Sequence, residues 1–132
     1  MPAKVLIVED EIFVAVDLEA TLQEIGYRPV GIAPDTETAL ALIERRPDIA
    51  LVDLNLRDGP TGPGIGRKLS EEGVAVLFVT ANPLQLGDGI PGTVGVITKP
   101  MDRDLVIAAL NYVMERLRGV DTPPPSGLSA FR

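Results

Sequence analysis

Short apolar runs rich in Val, Ile and Leu alternate with amphipathic stretches along most of this chain. The apolar runs lie at residues 5–8, 30–33, 49–54, 74–79 and 94–98. Runs of this length and composition are typical of strands that are buried on both faces. The run at 30–33 is the weakest, and Pro29 before it favours a position at the edge of a sheet.

Amphipathic stretches that predict helices follow four of the five runs. They lie at residues 12–25, 36–43, 65–72 and 102–118. In the last stretch, the residues spaced to face inward are Leu105, Ala109, Val113 and Leu117. Gly26 and Gly119 follow the first and last helix, where a residue that tolerates positive φ is favoured. The pattern therefore predicts strands and helices in regular alternation.

Two segments depart from this pattern. Residues 81–92, between the fourth and fifth strands, contain Pro83, Gly87, Gly89, Pro91 and Gly92. Gly and Pro destabilise helices, so we expect a short or disordered fourth helix there. After a domain at residues 1–119, residues 120–132 contain three consecutive prolines and predict a flexible Pro-rich tail.

The alternation predicts a doubly wound α/β fold with a five-stranded parallel sheet. Strand–helix–strand units make right-handed crossovers, which place helices on both faces of such a sheet. In this architecture ligands bind beyond the carboxyl ends of the strands. The residues at those ends are therefore the ones to search for chemistry.

Composition narrows the chemistry that the chain can perform. It has no Cys and no His, which excludes a thiol nucleophile, a disulfide framework and imidazole acid–base or metal sites. Its 12 basic and 19 acidic residues give a net charge of −7, which argues against a nucleic-acid partner. The sequence shows neither a membrane-spanning stretch nor a signal peptide, so we expect a cytoplasmic protein without membrane partners.

Polar residues end four of the five predicted strands. They are Glu9 and Asp10, Asp53, Thr80 and Lys99. Alone, each has an ordinary structural role, such as capping a turn or ending a strand. Carboxylates that converge on one rim repel each other, however, and a bound hard cation such as Mg²⁺ commonly offsets this repulsion. Together these groups form a set suited to phosphoryl transfer to a carboxylate nucleophile.

Four motifs resemble the receiver (CheY-like) domain of two-component response regulators. They are Val-Leu-Ile-Val-Glu-Asp-Glu at 5–11, Leu-Val-Asp-Leu-Asn-Leu at 51–56, Val-Thr-Ala at 79–81 and Thr-Lys-Pro at 98–100. The resemblance covers roughly residues 3–118. It implies a flavodoxin-like sheet with strand order 2-1-3-4-5. It also implies that the chain is a phosphoprotein that acts in phosphorelay signal transduction.

The resemblance implies a role for each strand-end residue. Asp53 would be the phosphoacceptor, receiving a phosphoryl group from a histidine kinase or phosphotransfer protein. Asp10 and Asp53 would ligate Mg²⁺ together with the backbone carbonyl of Asn55, and Glu9 would act in the outer shell through water.

On the same resemblance, Thr80 would move to hydrogen-bond the phosphoryl group and Lys99 would pair with it. The bond between Lys99 and Pro100 matches a position that is commonly cis in the family. No enzyme turnover is expected, since a receiver catalyses only its own phosphorylation and dephosphorylation.

The chain lacks one feature of typical receivers. Receivers usually carry Tyr or Phe in the fifth strand, whereas no aromatic residue occurs here between Phe78 and Tyr112. We therefore expect signalling without the usual aromatic switch, by ordering of residues 81–92 and a change in protein–protein interaction. We expect the phosphorylated chain to act on a downstream protein target. We expect a stand-alone receiver that is a monomer or weak homodimer.

Three other functions remain open at this point. A haloacid-dehalogenase-like phosphatase also uses a strand-end Asp and Mg²⁺, but it needs a second Asp where Asn55 stands. A flavin-binding module would place a phosphate against the acids at 9–11, which would repel it. A degenerate receiver that acts as a constitutive binding module is disfavoured because Asp10, Asp53 and Lys99 are all present.

Overall fold

The predicted strands form one sheet in a computed structural model that describes residues 2–131. The strands are β1 Lys4–Val8, β2 Arg28–Ala33, β3 Ile49–Asp53, β4 Ala75–Thr80, β5 Gly95–Thr98 and β6 Leu128–Ala130. The α-helices are α1 Ile12–Glu24, α2 Thr36–Ala41, α3 Gly62–Glu71 and α4 Arg103–Leu117. Short 3₁₀ helices lie at Leu42–Arg45 and Pro83–Leu86.

The sheet has the order β2-β1-β3-β4-β5-β6, which confirms the flavodoxin-like order of the first five strands. Those five strands are parallel, and β2 lies at one edge as Pro29 predicts. The predicted number of strands is wrong, because β6 adds a short sixth strand antiparallel to β5.

The two faces of the sheet pack against different helices. Ile7 of β1 belongs to a core cluster with Leu22 of α1 and Val113 of α4, whereas its neighbour Leu6 belongs to a cluster with Leu69 of α3. Successive residues of a strand point to opposite faces, so both must be apolar when both faces are covered. This packing explains the continuous apolar runs.

The helices begin and end close to the predicted positions, but the start of α3 and one inward-facing position of α4 differ from the prediction. Helix α3 begins at Gly62, three residues before the predicted start. Leu117 is 53% exposed, so the prediction that it faces inward is wrong, and Val106 and Leu110 are buried on α4 instead. Because Leu117 is the last residue of α4, the helix ends before that side chain reaches the core.

The segment between β4 and β5 contains no α-helix within the described chain, as its Gly and Pro content predicts. Only the 3₁₀ turn at Pro83–Leu86 forms, and Gly87, Gly89 and Gly92 after it have positive φ. Such φ values are strained for residues with a side chain, so this sequence could not continue as an α-helix.

The segment after α4 differs from the predicted flexible tail. Leu128–Ala130 pairs with β5, and the side chain of Leu128 is buried. The edge of β5 offers free backbone groups, and Gly95 has no side chain to block an approaching strand. Residue 1 of the predicted domain and residue 132 of the predicted tail lie outside the described residues. The domain boundary at residue 119 stays a prediction.

Among the described residues, none of the helices combines the length and the apolar composition needed to cross a membrane.

Candidate functional site

All the predicted site residues lie on the same rim of the sheet. Glu9 and Asp10 follow β1, Asp53 ends β3, Thr80 ends β4 and Lys99 follows β5. Since these strands are parallel, their carboxyl ends meet at one edge. The structure therefore brings together every candidate that the sequence identifies.

The ammonium group of Lys99 bridges two of the carboxylates. Its Nζ donates to Oε1 of Glu9 and to Oδ2 of Asp53, each at 3.0 Å. The side chains of Glu9, Asp53 and Lys99 are 6%, 12% and 25% exposed, so both ion pairs are largely shielded from water. The attraction within shielded pairs of this kind is less screened by salt than the attraction within surface pairs.

Asp53 is held on both of its carboxylate oxygens. Oδ1 accepts a hydrogen bond of 2.7 Å from the backbone N–H of Leu54, and Oδ2 accepts the bond from Lys99. Its own carbonyl lies against Gly62 at the start of α3, and the N–H of Gly62 donates to the carbonyl of Leu54. The local backbone thus fixes the position from which the Asp53 carboxylate faces the groove.

Glu9 is the most buried acid of the site. Its Oε2 accepts hydrogen bonds from the backbone N–H groups of Asp10 at 3.1 Å and Glu11 at 3.3 Å. Burial raises the pKa of Glu9, as does the nearby Asp53, while the hydrogen bond from Lys99 opposes this rise.

Two effects also oppose each other at Lys99. Burial lowers the pKa of Lys99, but the hydrogen bonds to Asp53 and Glu9 outweigh it and raise the pKa above its ordinary value. Lys99 is therefore a permanent cation at neutral pH, and it partly balances the acids around it.

The acids form a group that fits a divalent cation. Glu9, Asp10 and Asp53 each offer a carboxylate oxygen, and these oxygens lie within 4.8 Å of one another. Asn55 lines the same groove. Mg²⁺ prefers one or two carboxylates together with carbonyl and water oxygens, so the donor set present here fits that ion.

Thr80 and Lys99 are linked through the backbone. The N–H of Lys99 donates to the carbonyl of Thr80 at 2.8 Å, and the hydroxyl of Thr80 accepts the N–H of Asn82 at 3.0 Å. The Thr80 residue is buried, and the peptide bond between Lys99 and Pro100 is cis. These contacts tie the ends of β4 and β5 to the start of the 81–92 segment.

The site opens into a groove of about 1310 Å³. The six candidate residues all line it, and it continues along α1 past Phe13 and Val14. The Phe13 side chain is 89% exposed, and its neighbour Ile12 is 58% exposed. Val14 and Val16 on the same helix are also exposed, and a patch of neighbouring exposed apolar residues is typical of a contact surface for another protein.

The site contains functional groups that the sequence does not indicate. They are the backbone N–H groups of Leu54 and Asn82, which bind the Asp53 carboxylate and the Thr80 hydroxyl. Every non-proline residue carries such a group, so no residue type marks those that the fold directs at a site.

Comparison with known proteins gives one consistent result. The family model described as "Response regulator receiver domain" matches residues 5–111. The phyllosphere-induced regulator PhyR of Methylorubrum extorquens is 31% identical over 118 residues, which are 86% of this chain and 44% of PhyR. The chain thus spans less than half the length of that relative.

Two further matches extend over nearly the whole of both chains. Protein Rrf1 of Nitratidesulfovibrio vulgaris is 29% identical, and the match covers 98% of this chain and 97% of Rrf1. The solution NMR structure of the REC domain of the Erythrobacter litoralis PhyR response regulator has a TM-score of 0.77 and 28% identity. That alignment covers 94% of this chain and 96% of the REC domain.

Proposed function

Because the chain belongs to the response regulator receiver family, we propose that it accepts a phosphoryl group on Asp53. The donor is a histidine kinase or a phosphotransfer protein, the reaction is Mg²⁺-dependent, and the phosphorylated chain signals through altered protein–protein contacts. The observation that supports this most strongly is the setting of Asp53, whose carboxylate lies between the Leu54 N–H and the Lys99 ammonium at the open end of the sheet.

The transfer forms one bond and breaks one. A carboxylate oxygen of Asp53 attacks phosphorus, a phosphorus–oxygen bond forms, and the bond between phosphorus and the donor's imidazole nitrogen breaks. The electron pair of that bond leaves with the imidazole. Hydrolysis of the resulting acyl phosphate returns the carboxylate and inorganic phosphate, which resets the protein.

The residues that would hold Mg²⁺ are Asp10 and Asp53, with the backbone carbonyl of Asn55, and Glu9 would act through water. Bound there, Mg²⁺ would offset the negative charge of the phosphoryl oxygens. Glu9 also holds Lys99 close to Asp53, at 3.0 Å from its Oε1. The positive charge that the transferred group needs is therefore already in position.

Lys99 and Thr80 would bind the phosphoryl group once it is attached. The Lys99 ammonium already contacts Asp53 Oδ2 and needs only a small shift to reach a new phosphoryl oxygen. The Thr80 hydroxyl accepts the Asn82 N–H, so its proton is free to be donated to such an oxygen. Movement of Thr80 toward the phosphoryl group would reorganise residues 81–92.

The exposed side of α1 is a suitable docking surface for the phosphodonor protein. Phe13 lines the groove that contains Asp53, and its ring is almost completely exposed. A protein that buries this ring would place its phosphohistidine close to the acids. Aromatic side chains in such positions often supply much of the binding energy of an interface.

The proposed function is tested by incubating the full chain and Asp53→Asn with Mg²⁺ and phosphoramidate, a small donor with a phosphorus–nitrogen bond. Intact mass spectrometry should show one added phosphoryl group on the natural chain and none on Asp53→Asn. Asp88→Asn is the matched control, since Asp88 is an exposed acid in the 81–92 segment. Its labelling should be unchanged.

The chemistry of the label distinguishes an acyl phosphate on Asp53 from a phosphate ester on another residue. An acyl phosphate is removed by hydroxylamine, whereas a phosphate ester of Ser or Thr is not. A constitutive binding module would remain unlabelled at any donor concentration, which would contradict the proposal. So would labelling of Asp53→Asn at the natural rate.

A further inference from the structure

The segment 127–131, called here the docked strand, lies along the outer edge of β5. Leu128, Ser129 and Ala130 lie opposite Ile97, Val96 and Gly95. The pairing extends beyond β6 on both sides, since Gly127 accepts the N–H of Thr98 at 3.4 Å and Phe131 donates to the carbonyl of Val94 at 2.9 Å. The docked strand thus follows β5 over its whole length.

One end of the docked strand lies beside the ammonium-bearing end of β5. Thr98, whose N–H it binds, immediately precedes Lys99. Gly127 also lies against the side chain of Leu105 in α4. Displacement of this end would therefore break the hydrogen bond to Thr98, the residue next to Lys99 and its ion pairs.

The other end contacts the residues around Thr80. The rings of Phe131 and Phe78 have centroids 6.4 Å apart, and Phe78 precedes Thr80 by two residues on β4. The Phe131 ring also lies against Gly89, where a Cβ atom would stand 2.6 Å from Phe131 Cγ. Gly89 belongs to the segment that follows Thr80. The Phe131 ring therefore contacts one residue that precedes Thr80 in the chain and one that follows it.

The docked strand is held by few side chains. Leu128 is buried and Phe131 is partly buried, whereas Ser129 and Ala130 are exposed. The connection to α4 includes Pro123, Pro124 and Pro125, which cannot donate backbone hydrogen bonds. A strand with two anchoring side chains and one paired edge can detach without unfolding the sheet.

From these contacts we propose that the docked strand is a latch that phosphorylation of Asp53 releases. This inference rests on the function proposed above. With the latch closed, the Phe131 ring holds Gly89 and therefore holds residues 81–92 in their present position. Movement of Thr80 toward a phosphoryl group pulls this segment away from the ring, and the docked strand separates from the edge of β5.

Phosphoryl binding at Asp53 and docking of the strand on β5 must oppose each other in both directions. If phosphoryl binding weakens docking, then weakened docking must strengthen phosphoryl binding by the same factor. This reciprocity makes the latch measurable without a partner protein. The probe is beryllofluoride, a phosphoryl analogue that binds carboxylates in the presence of Mg²⁺.

The test measures the beryllofluoride affinity of the full chain and of three variants at fixed Mg²⁺. Phe131→Ala removes the anchoring ring, and Gly95→Ala places a Cβ atom 2.5 Å from the carbonyl oxygen of Ser129, which blocks pairing. Both should bind beryllofluoride about fivefold more tightly or better, the lower end of typical coupling between sites. Ser129→Ala is the control, since its exposed side chain does not anchor the strand, and its affinity should equal that of the natural chain.

A second measurement uses the natural chain alone. The amide of Phe131 is bonded to Val94, so its hydrogen exchange reports docking directly. Saturating beryllofluoride with Mg²⁺ should increase its exchange rate about fivefold or more, by the same linkage. This measurement tests the latch even if both docking variants fail to fold.

The outcomes separate the latch from the function on which it rests. Normal beryllofluoride binding with equal affinity in all variants, and an unchanged Phe131 amide, would overturn the latch and leave the proposed function intact. Weaker binding by Phe131→Ala or Gly95→Ala would also overturn it. Absence of beryllofluoride binding by the natural chain would overturn both.

Discussion

The ammonium nitrogen of Lys99 lies 3.0 Å from Oδ2 of Asp53. The same carboxylate belongs to the acidic group that fits Mg²⁺. A Mg²⁺ ion bound there would thus share the Asp53 carboxylate with the Lys99 ammonium. Lys99 pairs with both acids, and because like charges repel at this range in a partly shielded site, we expect Lys99 to weaken Mg²⁺ binding.

Replacing Lys99 should make this competition measurable. In Lys99→Ala we expect Mg²⁺ to bind about tenfold more tightly, which corresponds to relief of about 1.4 kcal/mol of repulsion. We also expect the chain to remain folded and to respond more weakly to phosphorylation. The Mg²⁺ dependence of the thermal midpoint reports the affinity, because a ligand that binds only the folded state stabilises it.

Lys68→Ala is the matched control for this change. Lys68 is an exposed lysine on α3 and takes part in none of the salt bridges of the described residues. Its removal should leave the Mg²⁺ affinity unchanged at moderate ionic strength. Weaker Mg²⁺ binding in Lys99→Ala would contradict the expected competition.

Phe13→Ala should separate the docking of the donor protein from the chemistry at Asp53. The Phe13 ring is exposed and lines the groove, so its loss should slow phosphotransfer from a protein donor about tenfold or more, as for an aromatic anchor at an interface. Labelling by phosphoramidate needs no docking surface and should be unchanged. Rates from both donors, measured side by side, check this prediction.

Leu117→Ala serves as the comparison for Phe13→Ala. Leu117 is also an exposed apolar residue, but it is the last residue of α4. Lys99 of the site lies before the first residue of that helix. It should affect neither donor. Equal slowing with phosphoramidate would show that Phe13 acts on the site itself rather than on docking.

The sequence predicts the site better than it predicts the edge of the sheet. Asp53 and Lys99 could be placed together because parallel strands align their carboxyl ends, and this rule needs only the order of strands and helices. The contact of Phe131 with Phe78 follows from no such rule. It joins residues far apart in sequence, and the prolines before β6 carry a local signal for a flexible tail.

The lack of an aromatic residue in β5 illustrates the same limit. Val96 occupies the strand where receivers usually carry Tyr or Phe, and it lies opposite Ser129 of β6. A ring nevertheless packs in the same core cluster as Val96, since Phe131 reaches it from the other strand. Local sequence could reveal the absence from β5 but not the supply of a ring from elsewhere.

In the phosphorylated state, residues 84–92 should leave the Phe131 ring and settle into a new, more ordered arrangement near the phosphoryl group. In the present structure the segment after Pro83–Leu86 contains several glycines with positive φ and only isolated backbone hydrogen bonds, such as Gly87 to Leu84. Its amides should therefore exchange quickly without a phosphoryl group and more slowly with beryllofluoride and Mg²⁺. Hydrogen exchange resolved by residue checks this, and equal protection in both states would exclude signalling by ordering of this segment.

The start of α3 should tolerate a methyl group at one glycine and not at another. A Cβ atom on Gly62 would stand 2.1 Å from the backbone oxygen of Asp53, whereas a Cβ atom on Gly64 would meet nothing within 4 Å. Gly62→Ala should therefore cost about 1–3 kcal/mol of the free energy of unfolding, as overpacking does, and should slow labelling of Asp53. Gly64→Ala should instead stabilise the chain by about 0.5–1 kcal/mol, because alanine favours a helix more than glycine does.

Urea unfolding of the two variants, followed by phosphoramidate labelling, tests this difference. The two substitutions add the same methyl group to the same helix, so a difference in sign cannot come from helix propensity. It must come from the contact between Gly62 and the Asp53 backbone. If Gly62→Ala matched Gly64→Ala in both stability and labelling rate, α3 would not fix the position of Asp53.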